Sequence, residues 1–281
     1  VHNYYQQRGG EDQIFEAEAA LLEAYGHRVL RYVLHNDRLE SMGDVERLRA
    51  TLWNGKTYRE LRAFIREMRP EVAHFHNTFP LVSPAAYYAA QAEGVPVIQT
   101  INNYRLACPG AYLLRDGRVC EDCLGRTLAL PAVRHACYRG SRAATGAVTA
   151  MLALHHALGT WQRQVDLFAL YMTEFSREKL VAAGLPPEKL FVKPNFLHPD
   201  PGAGSGSGGY ALFVGRLSPE KGIGVLEAAW RRLGARIPLK VVGDGPLAPA
   251  VARAEREVPG VTWLGPQPSD AFYALMQDAA F

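Results

Sequence analysis

The chain has no long hydrophobic run and little excess charge, and each absence excludes a class of protein. No apolar stretch reaches the ~18 residues that a membrane-spanning helix needs. The most apolar one, residues 144–161, is interrupted by His155, His156 and Gly159. The formal net charge is only +3, too small to predict a nucleic-acid partner. With 281 residues, 48% of them hydrophobic, the composition predicts a globular protein of two domains or one large one.

The ends of the sequence lack the marks of natural termini. The chain opens on Val1, without Met or a basic-then-apolar leader, and closes inside an amphipathic pattern at residues 276–281. We therefore expect a piece cut at both ends from a longer protein, located in the cytoplasm. Only four cysteines are present, which in a reducing compartment predicts thiol or metal chemistry and not a disulfide scaffold.

Short apolar runs alternate with helical periodicity, which predicts an α/β fold with parallel sheets. The predicted strands are residues 27–35, 72–76, 96–101, 166–173, 210–215, 239–245 and 261–265. The carboxyl ends of parallel strands share one edge of a sheet, so we expect ligands to bind at that edge.

A Gly/Ser/Pro-rich run at residues 199–209 divides the pattern and predicts a flexible linker. We expect an N-terminal domain at 1–196, with a cysteine-containing insert at 108–137, then a linker at 197–209. The C-terminal domain, 210–281, has only about 72 residues, which is short for a doubly wound sheet and predicts that it is incomplete.

Two segments of the C-terminal half place charge and glycine after predicted strands. In FVGRLSPEKG (213–222), Ser218 can cap a helix, so that Arg216, Lys221 and the first helix amides surround one point suited to a diphosphate. An ordinary capped helix with two solvated cations is the alternative. In VVGDGP (241–246), the glycines allow either close approach to a ligand or a tight turn.

Together these segments resemble those of glycosyltransferase family 4, whose members have the GT-B fold of two Rossmann-like domains facing across a cleft. RGGED (8–12), HFHNTFPLVSP (74–84), QTINNYRLACPG (99–110) and VKPNF (192–196) resemble that family's acceptor-side domain. FVGRLSPEKG and VVGDGP resemble its donor-binding domain. The resemblance implies a retaining transferase that moves a sugar from a nucleotide-sugar donor to a glycan or lipid-linked acceptor, in polysaccharide biosynthesis.

The resemblance also implies roles for particular residues. Arg216 and Lys221 would stabilise the charge that grows on the leaving diphosphate, without a catalytic metal. The donor-binding positions that it implies are Gly9, Gly10, Gly215, Arg216, Lys221, Gly243 and Gly245. Asn102 stands where many members carry His, and an amide orients substrate but does not titrate near neutral pH. The family's pair of glutamates would follow residue 281, so this fragment is expected to be inactive.

Candidate acceptor contacts are His76, Asn77 and Asn103, which follow predicted strands. Arg134, Arg139 and Arg142 precede the apolar run 144–161. That arrangement would suit a peripheral contact with the inner face of a membrane, and a buried helix with a solvated basic approach is the alternative.

All four cysteines fall within residues 108–137, at Cys108, Cys120, Cys123 and Cys137. A C-x2-C pair with a single cysteine on either side can supply four thiolates to a structural zinc. Four reduced thiols, or a redox-labile pair, are the alternatives. For the whole chain, three functions rival the transferase: a non-catalytic nucleotide-sugar-binding relative, a zinc-containing interaction module, and an epimerase of the same architecture.

Overall fold

The computed structural model describes residues 1–6, 9–170 and 173–281. The chain forms two compact units, Val1–His198 and Pro199–Phe281, called unit 1 and unit 2 below.

Unit 1 contains a four-stranded parallel sheet, a two-stranded parallel pair and one short antiparallel hairpin. Its strands are His2–Tyr4 (β1), Val33–His35 (β2), Ala73–Phe75 (β3), Val97–Ile101 (β4), Leu114–Arg115 (β5), Arg118–Val119 (β6), Leu167–Leu170 (β7) and Leu190–Val192 (β8). The sheet order is β3-β4-β7-β8, with β1 paired to β2 and β5 paired to β6. The backbone amide of His76 donates to Val1 and that of Asn3 to Asn77, so β1 lies beside the end of β3.

Eight helices of unit 1 pack around these strands in the part of the chain that the structure describes. They are Gly10–Ala24 (α1), Asp44–Leu52 (α2), Gly55–Met68 (α3), Ala85–Gln91 (α4), Leu130–Arg134 (α5), Arg142–Ala157 (α6), Thr160–Arg163 (α7) and Glu174–Ala182 (α8). The core joins α3, α4 and α6 to the sheet through side chains such as Leu61, Tyr87, Val148 and Phe168, each at most 1% exposed.

The sequence within 27–35 forms a shorter strand than predicted. Only Val33–His35 is in register with a neighbouring strand, and the carbonyl of Tyr32 accepts from the amide of His2 at 3.0 Å. Because β1 is itself only three residues long, it offers no partner to residues 27–31. The apolar run 144–161 forms most of α6 and the start of α7, with Val148, Met151 and Leu152 buried. No helix among the described residues combines the length and apolarity required to cross a bilayer.

Unit 2 is a three-stranded parallel sheet with three α-helices. Its strands are Ala211–Val214 (β9), Leu239–Val242 (β10) and Val261–Gly265 (β11), in the order β11-β10-β9. Its helices are Ile223–Leu233 (α9), Ala248–Glu257 (α10) and Ser269–Asp278 (α11). Side chains of α9 and α10 cover the sheet, where Trp230, Val241 and Val251 form part of the core. The prediction of an α/β fold with parallel sheets is therefore confirmed.

The segment predicted as a linker is hydrogen-bonded to the end of unit 2. The amides of Gly206 and Gly208 donate to the carbonyls of Gln277 and Asp278, at 3.1 and 2.7 Å. The glycine-rich composition shows that this segment has few side chains to bury. It does not show that the backbone of the segment pairs with residues some 70 positions further along the chain.

Candidate functional site

A cavity of about 60 Å³ lies at the carboxyl end of the unit 1 sheet. The loops that follow β3 and β4 supply much of its lining. The four predicted residues of those loops all line it: His76, Asn77, Asn102 and Asn103. The topology brings them together because parallel strands deliver their following residues to one edge.

His76 provides an unsatisfied hydrogen-bonding atom at this cavity. The residue is 5% exposed, and its Nδ1 is buried with no hydrogen-bond partner. Its Nε2 lies 3.5 Å from Oε2 of Glu18. Burial, with a smaller effect from His74, holds the pKa of His76 well below 6.5, so the ring is neutral near pH 7. A proton on Nε2 facing Glu18 leaves Nδ1 as an acceptor.

Asn102 supplies a second unsatisfied acceptor at the same cavity. Its Oδ1 is buried and has no hydrogen-bond partner. A buried polar atom without a partner costs about 1–3 kcal/mol, and such an atom in a native structure calls for a partner from a ligand or water. Both residues line the cavity, and both acceptor atoms are buried from solvent.

Asn77 and Asn103 are engaged within unit 1. The amide nitrogen of Asn77 donates to the carbonyl of Asn3 at 2.7 Å, and its Oδ1 accepts from the amide of Phe79 at 3.0 Å. The amide nitrogen of Asn103 donates to Glu11 at 2.5 Å, and its Oδ1 accepts from the amide of Arg105 at 2.9 Å. These side chains shape the cavity wall.

Sequence reasoning missed two polar side chains that support the site. The Tyr87 hydroxyl donates to Oε1 of Gln99 at 2.6 Å, and the Gln99 amide donates to the carbonyl of His76 at 2.6 Å. Gln99 is the only amide side chain inside β4, so a polar residue within an apolar strand was the available signal.

Arg105 was also missed, and it brings a positive charge to the cavity lining. Its guanidinium lies 4.8 Å from the ring centroid of Phe79 and 5.0 Å from that of Tyr138. It also donates to the carbonyl of Pro109 at 2.8 Å. Two aromatic faces and a carbonyl fix the orientation of this cation.

The glycine pair predicted to face the donor lies at the start of α1. The backbone amide of Gly9 donates to the carboxylate of Asp12 at 2.8 Å, so that amide is already paired. A Cβ at Gly10 would meet nothing within 4 Å, so packing does not require glycine there. Arg8 of the same motif lies outside the described residues. Glu11, which follows Gly10, lines the cavity and accepts a hydrogen bond from Asn103.

In unit 2, the two sequence motifs lie side by side at the carboxyl edge of the sheet. The amide of Gly215 donates to Val242 at 3.0 Å, and that of Leu217 donates to Asp244 at 2.9 Å. The amide of Leu247 donates to the carbonyl of Leu217 at 2.8 Å. We call these paired segments, residues 215–218 and 243–247, the edge loops.

Gly243 and Gly245 are required by the contact between the edge loops. A Cβ at Gly243, where φ is +135°, would overlap the carbonyl oxygen of Gly215. A Cβ at Gly245 would lie 2.6 Å from the carbonyl oxygen of Leu217. The glycines thus permit close approach of protein backbone within unit 2, and the predicted approach to a ligand stays a prediction.

The prediction that Ser218 caps a helix is wrong. Its hydroxyl donates to Glu220 at 2.6 Å, residues Pro219–Lys221 form a 3₁₀ turn, and α9 begins only at Ile223. Gly222, with φ of +74°, breaks the turn before the helix. The first free amides of α9 therefore follow Lys221 directly.

Arg216 and Lys221 are exposed, and they share an acidic neighbour. Burial acts to raise the pKa of Glu220, but the Ser218 hydrogen bond and the charges of Arg216 and Lys221 lower it overall. Glu220 is thus ionised at neutral pH and lies near both cations. An anionic ligand at this edge would meet two positive charges and one negative charge.

One further group has the spacing of metal ligands among the residues that the structure describes. Ligand atoms of Glu18, His74 and His76 lie within 4.8 Å of one another. Lys193, however, places its ammonium 2.5 Å from Oε1 of Glu18, where a cation would bind. Burial also lowers the pKa of His74 to about 4. The group is a partly buried cluster around Glu18, with the ammonium of Lys193 already in place.

Comparison with solved structures shows the fold of the whole chain. A glycosyltransferase from Rickettsia africae superposes with a TM-score of 0.54 at 11% identity, over 97% of this chain and 69% of that one. HepE of Anabaena, solved with UDP, gives a TM-score of 0.51 at 14% identity, over 95% and 68%. HepE with UDP-glucose gives 0.51 at 14% identity, over 95% and 69%. No protein-family model and no curated protein matches the chain.

These likenesses confirm the predicted GT-B fold, with its parallel α/β architecture.

Proposed function

We propose that this chain belongs to a retaining glycosyltransferase of family 4 that uses a nucleotide-sugar donor. Unit 2 binds the diphosphate of the donor at the edge loops, and the unit 1 cavity binds a hydroxyl-bearing sugar. Two structures of the same fold support the choice of donor, since HepE was solved with UDP and with UDP-glucose.

The observation on which the proposal chiefly rests is the construction of the edge loops. Glycine at positions 243 and 245 lets the two loops pair without side chains between them, at the edge where α/β sheets bind their ligands. Exposed Arg216 and Lys221 flank this edge, and the first amides of α9 follow. Cations and helix amides together favour a diphosphate.

The unit 1 cavity supports a hydroxyl-rich partner. His76 Nδ1 and Asn102 Oδ1 both lack partners and both accept hydrogen bonds. A pyranose ring presents several hydroxyl donors, and an apolar ligand presents none. Glycan or lipid-linked acceptors carry such rings, so the cavity is consistent with either class.

The chemistry assigned to these groups is electrostatic. When the bond between the sugar and the phosphate breaks, negative charge grows on the leaving oxygen, and Arg216 and Lys221 stabilise it more in the transition state than in the ground state. Neither Asn102 nor neutral His76 needs to transfer a proton. Their role is to hold hydroxyl groups in the orientation that transfer requires.

Equilibrium binding of UDP-glucose tests the donor site. Arg216→Ala and Lys221→Ala should each raise the dissociation constant on the order of 10- to 100-fold, which corresponds to roughly 1.5–3 kcal/mol for a hydrogen bond to a charged group. Arg232→Ala is the matched control, because it removes an exposed guanidinium near the opposite end of α9. In the complete protein, turnover should fall by roughly two to three orders of magnitude for the first two variants.

Three outcomes are informative. Loss of binding in the first two variants but not in Arg232→Ala supports the diphosphate site. Equal losses in all three indicate a general charge effect and overturn it. Binding without transfer to any hydroxyl acceptor by the complete protein would favour the non-catalytic relative that Asn102 suggests.

A further inference from the structure

The four cysteines of the chain meet at one place in the structure. They come from three separate parts of the 108–137 insert, yet all four line a single cavity of about 20 Å³, together with Leu113, Leu114, Arg115 and Ala132. All four cysteines lie in the described residues, and none forms a disulfide. The neighbouring thiols Cys108, Cys137 and Cys120 add to the effect of burial in raising the pKa of Cys123.

The size of the cavity and its four thiols together identify a ligand. A volume of 20 Å³ admits about one water-sized body, which is the scale of a single ion. Four thiolates around one ion are the coordination set of structural zinc. We propose that Cys108, Cys120, Cys123 and Cys137 bind one Zn²⁺ ion, releasing their protons as they do so.

Closing the site requires inward movement of the sulfurs. In a tetrahedral site with Zn–S distances of ~2.3 Å, the sulfurs lie about 3.8 Å apart. Among the described residues, no three of the cysteine sulfurs come within 4.8 Å of one another. Rotation of the side chains about Cα–Cβ, on turns that already face one cavity, supplies this movement.

The charge around the cavity is suited to an anionic centre. Zinc with four thiolates carries a net charge of −2. Arg115 lies in the lining, and its hydrogen bond to Asp122 at 2.7 Å raises its pKa, to which Cys120 and Cys137 add. The guanidinium is shared with Asp122 and with Asp116, at 3.8 Å, so only part of its positive charge is available to the site.

The insert needs a stabilising element that its apolar side chains do not supply. Its own buried cluster contains only Cys123, Ala129 and Ala132, with Cys137 packed against it. Yet the insert holds four of the seven non-glycine residues with positive φ in the described chain: Ala111, Leu113, Asp116 and Ala136. Strained conformations persist only where the surroundings enforce them, and a metal with four ligands would do so.

The metal would also brace the wall of the unit 1 cavity. The amide of Cys108 donates to the carbonyl of Tyr104 at 2.7 Å, and the amide of Tyr104 donates to Ala111 at 3.0 Å. Arg105, which lines that cavity, donates to Pro109. Binding at Cys108 would therefore fix the backbone that positions Asn103 and Arg105.

The test measures metal in the full chain, purified without chelators. We expect one zinc per chain by elemental analysis. Replacement with Co²⁺ should give the visible bands of tetrahedral cobalt and a thiolate charge-transfer band, and this measurement uses only wild-type protein. Each Cys→Ser variant should retain far less than one zinc, whereas Val119→Ser should retain it. Val119 is 79% exposed, adjoins Cys120 and carries no ligand atom.

Removal of the metal should accelerate hydrogen exchange at the amides of Tyr104 and Cys108, while exchange in α3 stays unchanged. Zinc-free wild-type protein that shows no thiolate band with Co²⁺ would overturn the proposal. So would four thiols that react at once with a disulfide reagent in the folded protein, a disulfide among them, or iron in place of zinc. None of these results bears on the donor site, because the UDP-glucose assay reads unit 2.

Discussion

Adding one methyl group to Gly243 tests the paired edge loops of unit 2 directly. At φ of +135°, an alanine is strained by about 1–3 kcal/mol. Its Cβ would also overlap the carbonyl oxygen of Gly215, and the atom in the way is backbone, not the end of a flexible side chain. Displacing it costs about 1–3 kcal/mol more. We therefore expect Gly243→Ala to lower the free energy of unfolding by roughly 2–6 kcal/mol.

The neighbouring helix offers a control of opposite sign. Gly224 lies in α9, and a Cβ there would meet nothing within 4 Å. Gly224→Ala adds the same methyl group to the same unit, and it should raise the free energy of unfolding by about 0.5–1 kcal/mol because alanine favours the helix.

Urea denaturation followed by tryptophan fluorescence measures both variants. Trp263 donates its ring N–H to the carbonyl of Gly243 at 3.0 Å, so its emission reports on the altered loop as well as on unfolding. A Gly243→Ala protein that unfolds within about 0.5 kcal/mol of wild type, with unchanged emission, would refute the described contact of the edge loops.

Two further predictions concern unit 1. Burial lowers the pKa of His74 from 6.5 to about 4, so the unfolded chain binds a proton there that the folded chain rejects. The contribution of His74 to the free energy of unfolding should therefore be complete above pH 6.5. It should fall toward pH 4 by up to about 1.4 kcal/mol per pH unit, and His74→Gln should flatten this slope in urea denaturation measured at a series of pH values. Asn54 accepts from the amides of Lys56 and Thr57, both at 3.1 Å, and caps α3. Asn54→Ala should lose about 1–2 kcal/mol in the same assay, and a loss below about 0.5 kcal/mol would contradict a capping role.

Local pattern predicted much of the architecture because strands and helices differ in the period of their apolar residues. Residues 96–101 and 261–265, for example, form β4 and β11 with shifts of at most one residue. The pattern of residue types gave wrong predictions where the local structure depends on a hydrogen-bond partner. Residues 27–31 have strand-like side chains, but the three-residue β1 is too short to pair with them. Ser218 follows a strand and precedes a proline, yet its hydroxyl is taken by Glu220.

The order of residues along the chain thus determined the α/β class, the edges at which polar residues gather, and the clustering of all four cysteines in one insert. Those properties follow from backbone periodicity and from the rule that parallel strands end on the same side. Long-range packing alone decided which side chains are hydrogen-bonded within the protein and which are left without partners. Packing pairs the amide of Asn77 with the carbonyl of Asn3 and leaves His76 Nδ1 and Asn102 Oδ1 without partners. It also places the backbone of Gly215 against Gly243. Hydrogen-bond satisfaction and excluded volume depend on distances between residues remote in sequence, and only the folded chain sets those distances.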